Sequence, residues 1–291
     1  MNAVIDLAIA RANASFINSQ AGVRLWLVGR LEVAYAETGN LSTDLNRLSA
    51  PADGYLDAVH GQRNALGADL VCLFVNNTGA IAGLAQIYNG SSDTAFSVVG
   101  QSSAESTFVH EIGHNFGCLH DRPNNTIAPP PYAFGYGWSF TPSNAPILQT
   151  IMAQGSPIRV PYFSNPDVTY MGVPTGVPSG QTNESDNAQV LDTTVSAISG
   201  FRSPTGNVAP AVGFVSPAHV SSFGALEDIS LEATASDGDG TVQRVDFYRL
   251  KGDSEYGFSN YGSMFLGADT VAPYRETNAV AGAGWRHACR E

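Results

Sequence analysis

The chain has 291 residues, of which 43% are hydrophobic and 10% aromatic, a composition that indicates about two packed domains rather than disorder. Its formal net charge is −12, from 26 acidic and 14 basic residues, so its surface would repel nucleic acid and anionic membranes, and neither is expected as a partner. No apolar run reaches membrane-spanning length, and the acidic, lysine-poor composition is typical of a soluble, secreted protein, which we expect to be a monomer.

The first predicted element is an amphipathic helix over residues 1–16. Its apolar residues recur at helical spacing: Ile5, Ile9, Ala12 and Phe16. A signal peptide would need a basic start and an unbroken apolar stretch, but no basic residue precedes Asp6, which interrupts the run. We therefore expect the chain to begin within a helix, with any signal peptide or inhibitory propeptide upstream of it.

The next stretch alternates strand and helix patterns. Residues 53–67 space their apolar positions as a helix that ends at Gly67. Four segments rich in Val, Leu and aromatic residues are predicted as strands: 23–35, 70–75, 85–88 and 95–99.

Residues 103–117 predict another helix, with Ser103 as its N-cap and Gly117 as its stop. The segment 122–182 is rich in Pro and Gly and is predicted to be mostly irregular. A final helix is predicted over residues 184–202, and its apolar face is formed by Leu191, Val195, Ile198 and Phe201.

The composition changes at residues 203–211, SPTGNVAPA, which we interpret as a linker. Beyond it, residues 212–291 alternate apolar and polar positions in the manner of a small β-sandwich. The segment SDGDG at 236–240 predicts a hairpin turn. A calcium loop with Asp237 and Asp239 as ligands is the less favoured alternative, because a calcium site needs further carboxylates.

Three cysteines, Cys72, Cys118 and Cys289, allow at most one internal disulfide and leave one thiol unpaired. Cys72 lies in an apolar segment that is predicted as a strand, so a buried free thiol is favoured there. The number of cysteines does not distinguish an oxidising from a reducing compartment.

The segment HEIGHNFGCLHD, residues 110–121, holds three of the six histidines. His110 and His114 are four residues apart, so a helix presents both rings on one face, within reach of a single cation. Glu111 leaves that helix about 100° away, where it can touch a water on the cation but cannot bind the cation itself.

The third ligand comes from beyond the helix. Gly117 can adopt a positive φ, end the helix and turn the chain, so that His120 returns towards the cation. Three nitrogens and one water form an open, tetrahedral catalytic zinc site. The full pattern is expected by chance in a fraction on the order of 10⁻⁵ of chains with this composition. The remaining histidines are isolated, and we expect them at ordinary surface or hydrogen-bonded positions: His60, His219 and His287.

The string His-Glu-x-x-His-x-x-Gly-x-x-His, followed by Asp121, resembles the metzincin zinc endopeptidases, and that Asp points to their adamalysin (reprolysin-like) branch, in its bacterial form. TIMAQG at 150–155 is similar to the methionine turn of this family, with Met152 as its methionine. Gln154 stands where astacin-like relatives carry a tyrosine, which argues against that branch. The resemblance covers residues 1–202, and the tail is similar to bacterial immunoglobulin-like modules.

The resemblance implies an α+β fold for residues 1–202, the α/β/α zincin arrangement. A twisted mixed sheet with helices would form an upper subdomain, 1–117, and an irregular lower subdomain, 118–202, would follow the active-site helix. An all-β immunoglobulin-like sandwich would occupy 212–291. Since the family has a central strand before the opening helix, and since the module stops before its last strands, we expect both ends to be cut.

The resemblance also implies roles for single residues. The zinc ligands would be His110, His114 and His120. Glu111 would be the general base that deprotonates the zinc water and passes the proton to the leaving amine. Met152 would form an apolar floor and Asp121 a buried structural acid at the site. Two substrate-binding stretches are expected, an edge strand at Gly83, Leu84 and Ala85 and a pocket wall at Ser164, Asn165 and Pro166. In many relatives a disulfide joins the cysteine that matches Cys118 to a cysteine near the edge strand, but this chain has no cysteine at the second position.

Two functions compete. The first is a secreted zinc endopeptidase, with a calcium ion only weakly supported as a second metal. The second is a catalytically silent, peptidase-like binding protein that acts through its immunoglobulin-like module. Silent scaffolds usually lose the glutamate or a histidine, and Glu111 and its three histidines are all present, which favours the enzyme.

Overall fold

The computed structural model describes residues 1–155, 158–202, 210–217, 228–238, 240–242, 244–251, 263–280 and 285–290. The chain divides into two compact units, Met1–Thr205 and Gly206–Glu291. In the part of the chain that is described, no helix combines the length and hydropathy of a membrane span.

The helices of the first unit are α1 (Asn2–Asn18), α2 (Leu41–Ser49), α3 (Ala58–Leu66), α4 (Ala104–Asn115) and α5 (Asn187–Ile198). The predicted opening helix is confirmed by α1, which buries Ala12 and Phe16 completely. No sequence prediction corresponds to α2. It forms because the Asn40 side chain caps its start, accepting hydrogen bonds from the backbone N–H groups of Ser42 and Thr43 at 3.0 and 3.1 Å.

The starts of three helices differ from the prediction, two in position and one in its capping. Helix α3 begins at Ala58 rather than at residue 53, because the Asp57 carboxylate accepts the backbone N–H groups of the preceding turn. Ser103 occupies the N-cap position of α4 without capping it, since its hydroxyl instead contacts the carbonyl oxygen of Gly100 at 3.3 Å. Helix α5 is shorter than predicted and starts after Asp186, whose side chain accepts the Gln189 N–H at 2.9 Å.

A three-stranded sheet contains β1 (Val71–Val75), β2 (Gly83–Ala85) and β3 (Phe96–Gly100) in the order β1-β3-β2. Strand β1 runs parallel to β3, and β2 runs antiparallel to it, so β2 is an edge strand. The strands predicted at 70–75 and 95–99 are confirmed, whereas the one predicted at 85–88 lies at 83–85.

The strand predicted at 23–35 is wrong. This segment is extended but joins no ladder among the described residues, and the Asn13 amide occupies both backbone groups of Leu25, at 2.8 and 3.0 Å. Trp26 and Leu31 are 52% and 46% exposed. A β-rich composition forms a strand only where another backbone is available to pair with it.

The sheet is covered by helices on both faces, which confirms the α/β/α arrangement. On one face Phe74 of β1 packs on Phe108 of α4, with ring centroids 5.9 Å apart. Helix α4 in turn packs on α1, and Phe16 of α1 stacks on Phe163 at 5.4 Å. A second apolar cluster fills the other face, against α2 and α3: Leu41, Leu45, Leu48, Leu56, Val59, Val75, Phe96 and Val98.

Beyond α4 the chain is mostly irregular, as predicted, with five two-residue strands: β4 (Ser139–Phe140), β5 (Leu148–Gln149), β6 (Ile158–Arg159), β7 (Thr169–Tyr170) and β8 (Val173–Pro174). Strand β5 pairs antiparallel with β4 and parallel with β6. This small sheet brackets the methionine-containing turn at 150–155 and so holds it beneath α4.

The second unit has six described strands: β9 (Ala211–Ser216), β10 (Asp228–Ser236), β11 (Val245–Lys251), β12 (Ser263–Asp269), β13 (Tyr274–Val280) and β14 (Trp285–Arg290). They form two three-stranded antiparallel sheets, β13-β10-β9 and β12-β11-β14, which confirm the predicted β-sandwich. Ile229, Leu231 and Phe247 lie in its core. Asp239, the second ligand of the calcium alternative, lies outside the described residues.

Cys72 and Cys118 are free thiols, and the side chain of Cys289 lies outside the described residues. Burial raises the pKa of the Cys72 thiol to about 12, so this group stays protonated and unreactive at neutral pH. The predicted free thiol at Cys72 is confirmed, but its side chain is partly exposed rather than buried.

Candidate metal centre

Three imidazoles meet at one point of the first unit. His110 and His114, one turn apart on α4, are both buried, and the half-buried His120 faces them. The Nε2 atom of His120 lies 3.1 Å from Nε2 of His110 and 3.0 Å from Nε2 of His114. Among the described residues this is the only group of three or more side chains of metal-binding type placed to hold one ion.

Backbone carbonyls orient two of the rings. Nδ1 of His110 donates to the Ile151 carbonyl oxygen, and Nδ1 of His114 donates to that of Cys118, both at 2.8 Å. Since a carbonyl only accepts, each Nδ1 carries the proton, and each Nε2 presents a lone pair to the common point. Such outer hydrogen bonds fix the tautomer and direction of metal-binding histidines.

A glycine turn returns the third ring. Gly117 has a φ of +98°, the left-handed backbone that the sequence predicted. The N–H of Cys118 bonds the Gly113 carbonyl at 2.9 Å, which closes the end of α4, and the N–H of Leu119 bonds Gly135 at 2.8 Å. The chain is therefore held on both sides of the turn, and His120 is aimed back at α4.

The electrostatics suit a cation. Burial is the main cause that lowers the pKa of His114 to about 3 and the pKa of His110 well below its usual range. Burial also lowers the pKa of His120. Neutral imidazole is the form that binds metal, and nitrogen ligands around a tetrahedral ion with metal–nitrogen distances of ~2.0–2.1 Å lie about 3.3 Å apart. The residues present fit such an ion.

The carboxylate of Glu111 lies beside this point but on another face of α4. It is buried, and a β-carbon built on Gly83 would lie 2.6 Å from its Oε1 atom, so the glycine leaves room for the carboxylate. Burial raises the pKa of Glu111 to about 8, and the positive charge of Arg159 opposes that rise.

Met152 is fully buried directly under Gly113, where a β-carbon would collide with its sulfur. The carbonyl that orients His110 belongs to the neighbouring Ile151. The turn at 150–155 thus packs against α4, and an apolar floor under the metal stays a prediction for Met152.

Asp121 differs from its prediction, because it is half-buried rather than buried. Its carboxylate accepts hydrogen bonds from the backbone N–H of Gln154 at 2.9 Å and from the Asn124 amide at 3.0 Å. It therefore links the segment after His120 to the methionine turn.

The metal centre opens into a cleft of about 430 Å³. One wall is β2, with the predicted Gly83, Leu84 and Ala85, and the floor is the histidine cluster with Glu111. The lining residues that were not predicted include Gln154, whose Nε2 lies 2.9 Å from Nε2 of His120, and Arg159. One signal was available for the second, since Arg159 is the only basic residue between Arg122 and Arg202.

The predicted pocket wall does not line this cleft. Ser164 is fully buried, and its hydroxyl donates to the Tyr136 carbonyl at 2.6 Å and accepts the Asn187 N–H at 2.9 Å. Its burial and its two internal hydrogen bonds contradict the predicted contact with substrate. The Asn165 amide donates to the Ser19 carbonyl at 2.8 Å. Pro166, which follows, is partly exposed but is likewise absent from the lining.

Comparisons with known proteins agree with this geometry. Residues 1–185 match the family model of the reprolysin-like metallo-peptidases of family M12B, and residues 210–283 match that of a bacterial Ig domain. Similar proteins include the peptidyl-Asp metalloendopeptidases of Stenotrophomonas maltophilia, 38% identical over 208 residues, and of Xanthomonas campestris pv. campestris, 36% identical over 204 residues.

Each of these alignments covers 69% of this chain, but 48% of the first relative and 47% of the second, so the chain spans about half the length of the curated relatives it matches. A solved structure described as a chaperone–substrate complex shares the fold, with a TM-score of 0.50 and 21% identity over 68% of this chain and 31% of that one. The family implies a catalytic metal, and the three converging histidines are placed to bind one. The chain belongs to the reprolysin-like metallo-peptidases of family M12B and continues into a bacterial Ig domain.

Proposed function

We propose that this chain is a secreted zinc endopeptidase. In this proposal His110, His114 and His120 hold the ion, and Glu111 is the general base. The observation that carries it is that the Nε2 atoms of His110 and His114 lie within 3.1 Å of the Nε2 atom of His120, with a buried carboxylate beside them. A neutral three-nitrogen donor set with an open side suits zinc better than calcium or magnesium, which prefer oxygen ligands.

A zinc ion in this position supplies Lewis-acid chemistry, which acidifies water and polarises a peptide carbonyl. The residues of the chain contribute the proton transfers. Glu111 accepts a proton from the attacking water at a carboxylate oxygen and delivers it to the nitrogen of the departing amine. The enclosure of Glu111 by Gly83 holds that carboxylate in one place while the proton moves.

The free edge of β2 is the proposed substrate platform. Strand β2 pairs with β3 on one side only, and Gly83, Leu84 and Ala85 line the cleft along the other. An extended peptide that adds to this edge would gain backbone hydrogen bonds and lie across the metal centre. Edge pairing recognises the backbone, so selection among side chains needs other groups of the cleft.

An acidic residue next to the cleaved bond is the proposed substrate feature. The relatives are named peptidyl-Asp metalloendopeptidases, and the identity of 36–38% extends over 204 to 208 residues, 69% of this chain. We further propose that residues 1–202 form the catalytic domain, with subdomains 1–117 and 118–202. We also propose that the protein is a monomer and that it is secreted, and the acidic, lysine-poor composition supports secretion.

The test combines metal content with cleavage. The purified chain is expected to contain one zinc by elemental analysis and to release fragments from a proteome-derived peptide library, read by mass spectrometry. A chelator should abolish cleavage and added zinc should restore it. Zinc-loaded protein that releases no fragments would favour the silent binding protein, whereas failure to take up zinc would remove the metal centre from the proposal.

A further inference from the structure

The cleft contains a cation that the proposed hydrolysis does not use. Arg159 is the last residue of β6, where it pairs with Gln149, and it follows the turn that supports the histidines. Its side chain lines the same cleft as Glu111 and His120. Arg159 therefore shares a cleft with the three histidines and with the proposed base.

The guanidinium of Arg159 has N–H donors that no described residue accepts. One Nη2 hydrogen goes to the Ala153 carbonyl oxygen at 3.2 Å, which anchors the guanidinium to the methionine turn. The Nε atom is buried and has no hydrogen-bond partner among the described residues. The bond to Ala153 is the one hydrogen bond that the guanidinium makes among the described residues, so its remaining Nη hydrogens are available to a ligand in the cleft.

The cleft offers Arg159 one possible internal counter-charge, and that is Glu111. Among the described residues, Glu111 is the only acidic side chain that lines the cleft. In the part of the chain that the structure describes, no ion pair joins it to Arg159, so the guanidinium remains available to a third group.

The anion that best matches a guanidinium is a carboxylate, because the planar fork donates two parallel hydrogen bonds to its two oxygens. The rest of the molecule works against such a ligand, since the net charge is −12. Binding of an acidic side chain therefore depends on positive charge inside the cleft, and besides the proposed zinc ion the lining residue with a positive side chain is Arg159.

We propose that Arg159 is the specificity-determining residue, whose guanidinium donates hydrogen bonds to the carboxylate of an acidic substrate side chain next to the cleaved bond. This assignment rests on the proposed function, and it identifies the group that distinguishes Asp from its neutral isostere Asn. A site built to hydrogen-bond a substrate group discriminates strongly against an analogue that leaves its donors unpaired.

The experiment uses the zinc-loaded chain and two peptides that differ by a single Asp or Asn at the cleaved position. We expect the wild-type protein to cleave the Asp peptide with a kcat/KM at least about 10-fold higher, the range that a hydrogen bond to a charged group confers. Arg159→Gln should bring that ratio close to one by slowing the Asp peptide, and Arg159→Lys, which keeps the charge without the fork, should restore part of it.

Arg24→Gln is the matched control, because Arg24 is exposed and outside the cleft, so its loss changes the net charge equally and should leave the ratio unaltered. A role of Arg159 through Glu111 alone would slow both peptides by the same factor and leave the ratio intact, which would overturn the assignment. Zinc content and circular dichroism verify that each variant is folded.

The outcomes separate the two proposals. Wild-type protein that binds zinc but cleaves neither peptide contradicts the proposed function. Wild-type protein that prefers Asp, with a preference that survives in Arg159→Gln, contradicts only the role of Arg159. Cleavage of both peptides at equal rates by the wild-type protein also overturns the role of Arg159, while it leaves the peptidase proposal in place.

Discussion

Gly83 lies against the carboxylate of Glu111, so that a β-carbon at position 83 would come within 2.6 Å of Oε1. The same β-carbon would lie 2.5 Å from the methyl group of Thr107, on the same helix. The edge strand and the proposed base are thus in contact, and neither can shift without moving the other.

We predict that Gly83→Ala displaces the carboxylate of Glu111 and lowers kcat on the order of 10²-fold, the effect that a misplacement of about 1 Å has on catalytic groups. Zinc binding should not change, because the atoms nearest to the added β-carbon belong to Thr107 and Glu111 rather than to a histidine. Stopped-flow or steady-state kinetics and elemental analysis measure the two quantities. Gly61→Ala is the control, since a β-carbon there meets nothing within 4 Å. Unaltered kcat in Gly83→Ala would show that the carboxylate tolerates displacement.

Glu111→Gln keeps the size of the side chain and removes the base. Positioned proton transfer contributes about 10²–10⁴-fold to rate, so we expect kcat to fall by at least that factor. The three histidines are untouched, and one zinc per chain should remain. Peptide cleavage and zinc content measured on one preparation decide the matter. A variant that cleaves at nearly the wild-type rate with zinc bound would rule out Glu111 as the base.

His120→Ala should differ from the glutamate variant in kind, because it removes a ligand rather than a base. Zinc affinity and activity should fall together, as measured by competition with a chromogenic chelator and by peptide cleavage. His60→Ala is the matched control, since the His60 ring bonds the Leu48 carbonyl at 3.0 Å, away from the cluster. Retention of tight zinc binding in His120→Ala would show that two histidines and another group suffice.

Gly113→Ala should destabilise the protein, although alanine favours a helix by up to about 1 kcal/mol over glycine. A β-carbon there would collide with the Met152 sulfur and lie 3.0 Å from Cε1 of Phe163, and overpacking of this kind costs about 1–3 kcal/mol. Denaturant unfolding measures the change. Met152→Ala in the same chain should relieve part of the clash, and strict additivity of the two substitutions would contradict direct contact.

Removal of the second unit should leave turnover intact. The metal centre and cleft lie within residues 1–202, and a shortened chain that ends at 205 retains Arg202, whose backbone N–H bonds Asp69 at 3.0 Å and whose Nε bonds Asn64 at 2.6 Å. We expect kcat on a soluble peptide to match that of the full chain. A folded, zinc-loaded short chain with greatly reduced kcat would place the second unit in catalysis.

The helix-and-turn part of the metal centre was predictable because its information is local. The spacing of His110 and His114 follows from the helical repeat, and the return of His120 needs one positive φ, which Gly117 supplies within the same eleven-residue stretch. The opening helix and the β-sandwich were likewise predictable from their apolar periods, and strands β1 and β3 from their short, continuous apolar runs.

Local composition failed where pairing partners decide the outcome. Residues 23–35 have the composition of a strand, yet Asn13 takes up the backbone of Leu25 and the segment stays outside the sheet. Ser164 lies near the methionine turn in sequence, but its hydroxyl is used to join Tyr136 to Asn187 in the interior. Neither result follows from the residues themselves.

The sequence by itself determined the chemistry of the centre, because three nitrogen ligands and a carboxylate lie within one helix and the turn after it. The tertiary structure decided what surrounds that chemistry. Only the folded chain brings Gly83 against Glu111, Met152 beneath Gly113 and Arg159 into the cleft, since these contacts join segments 28 to 48 positions apart and depend on how the sheet, the helix and the turn pack together.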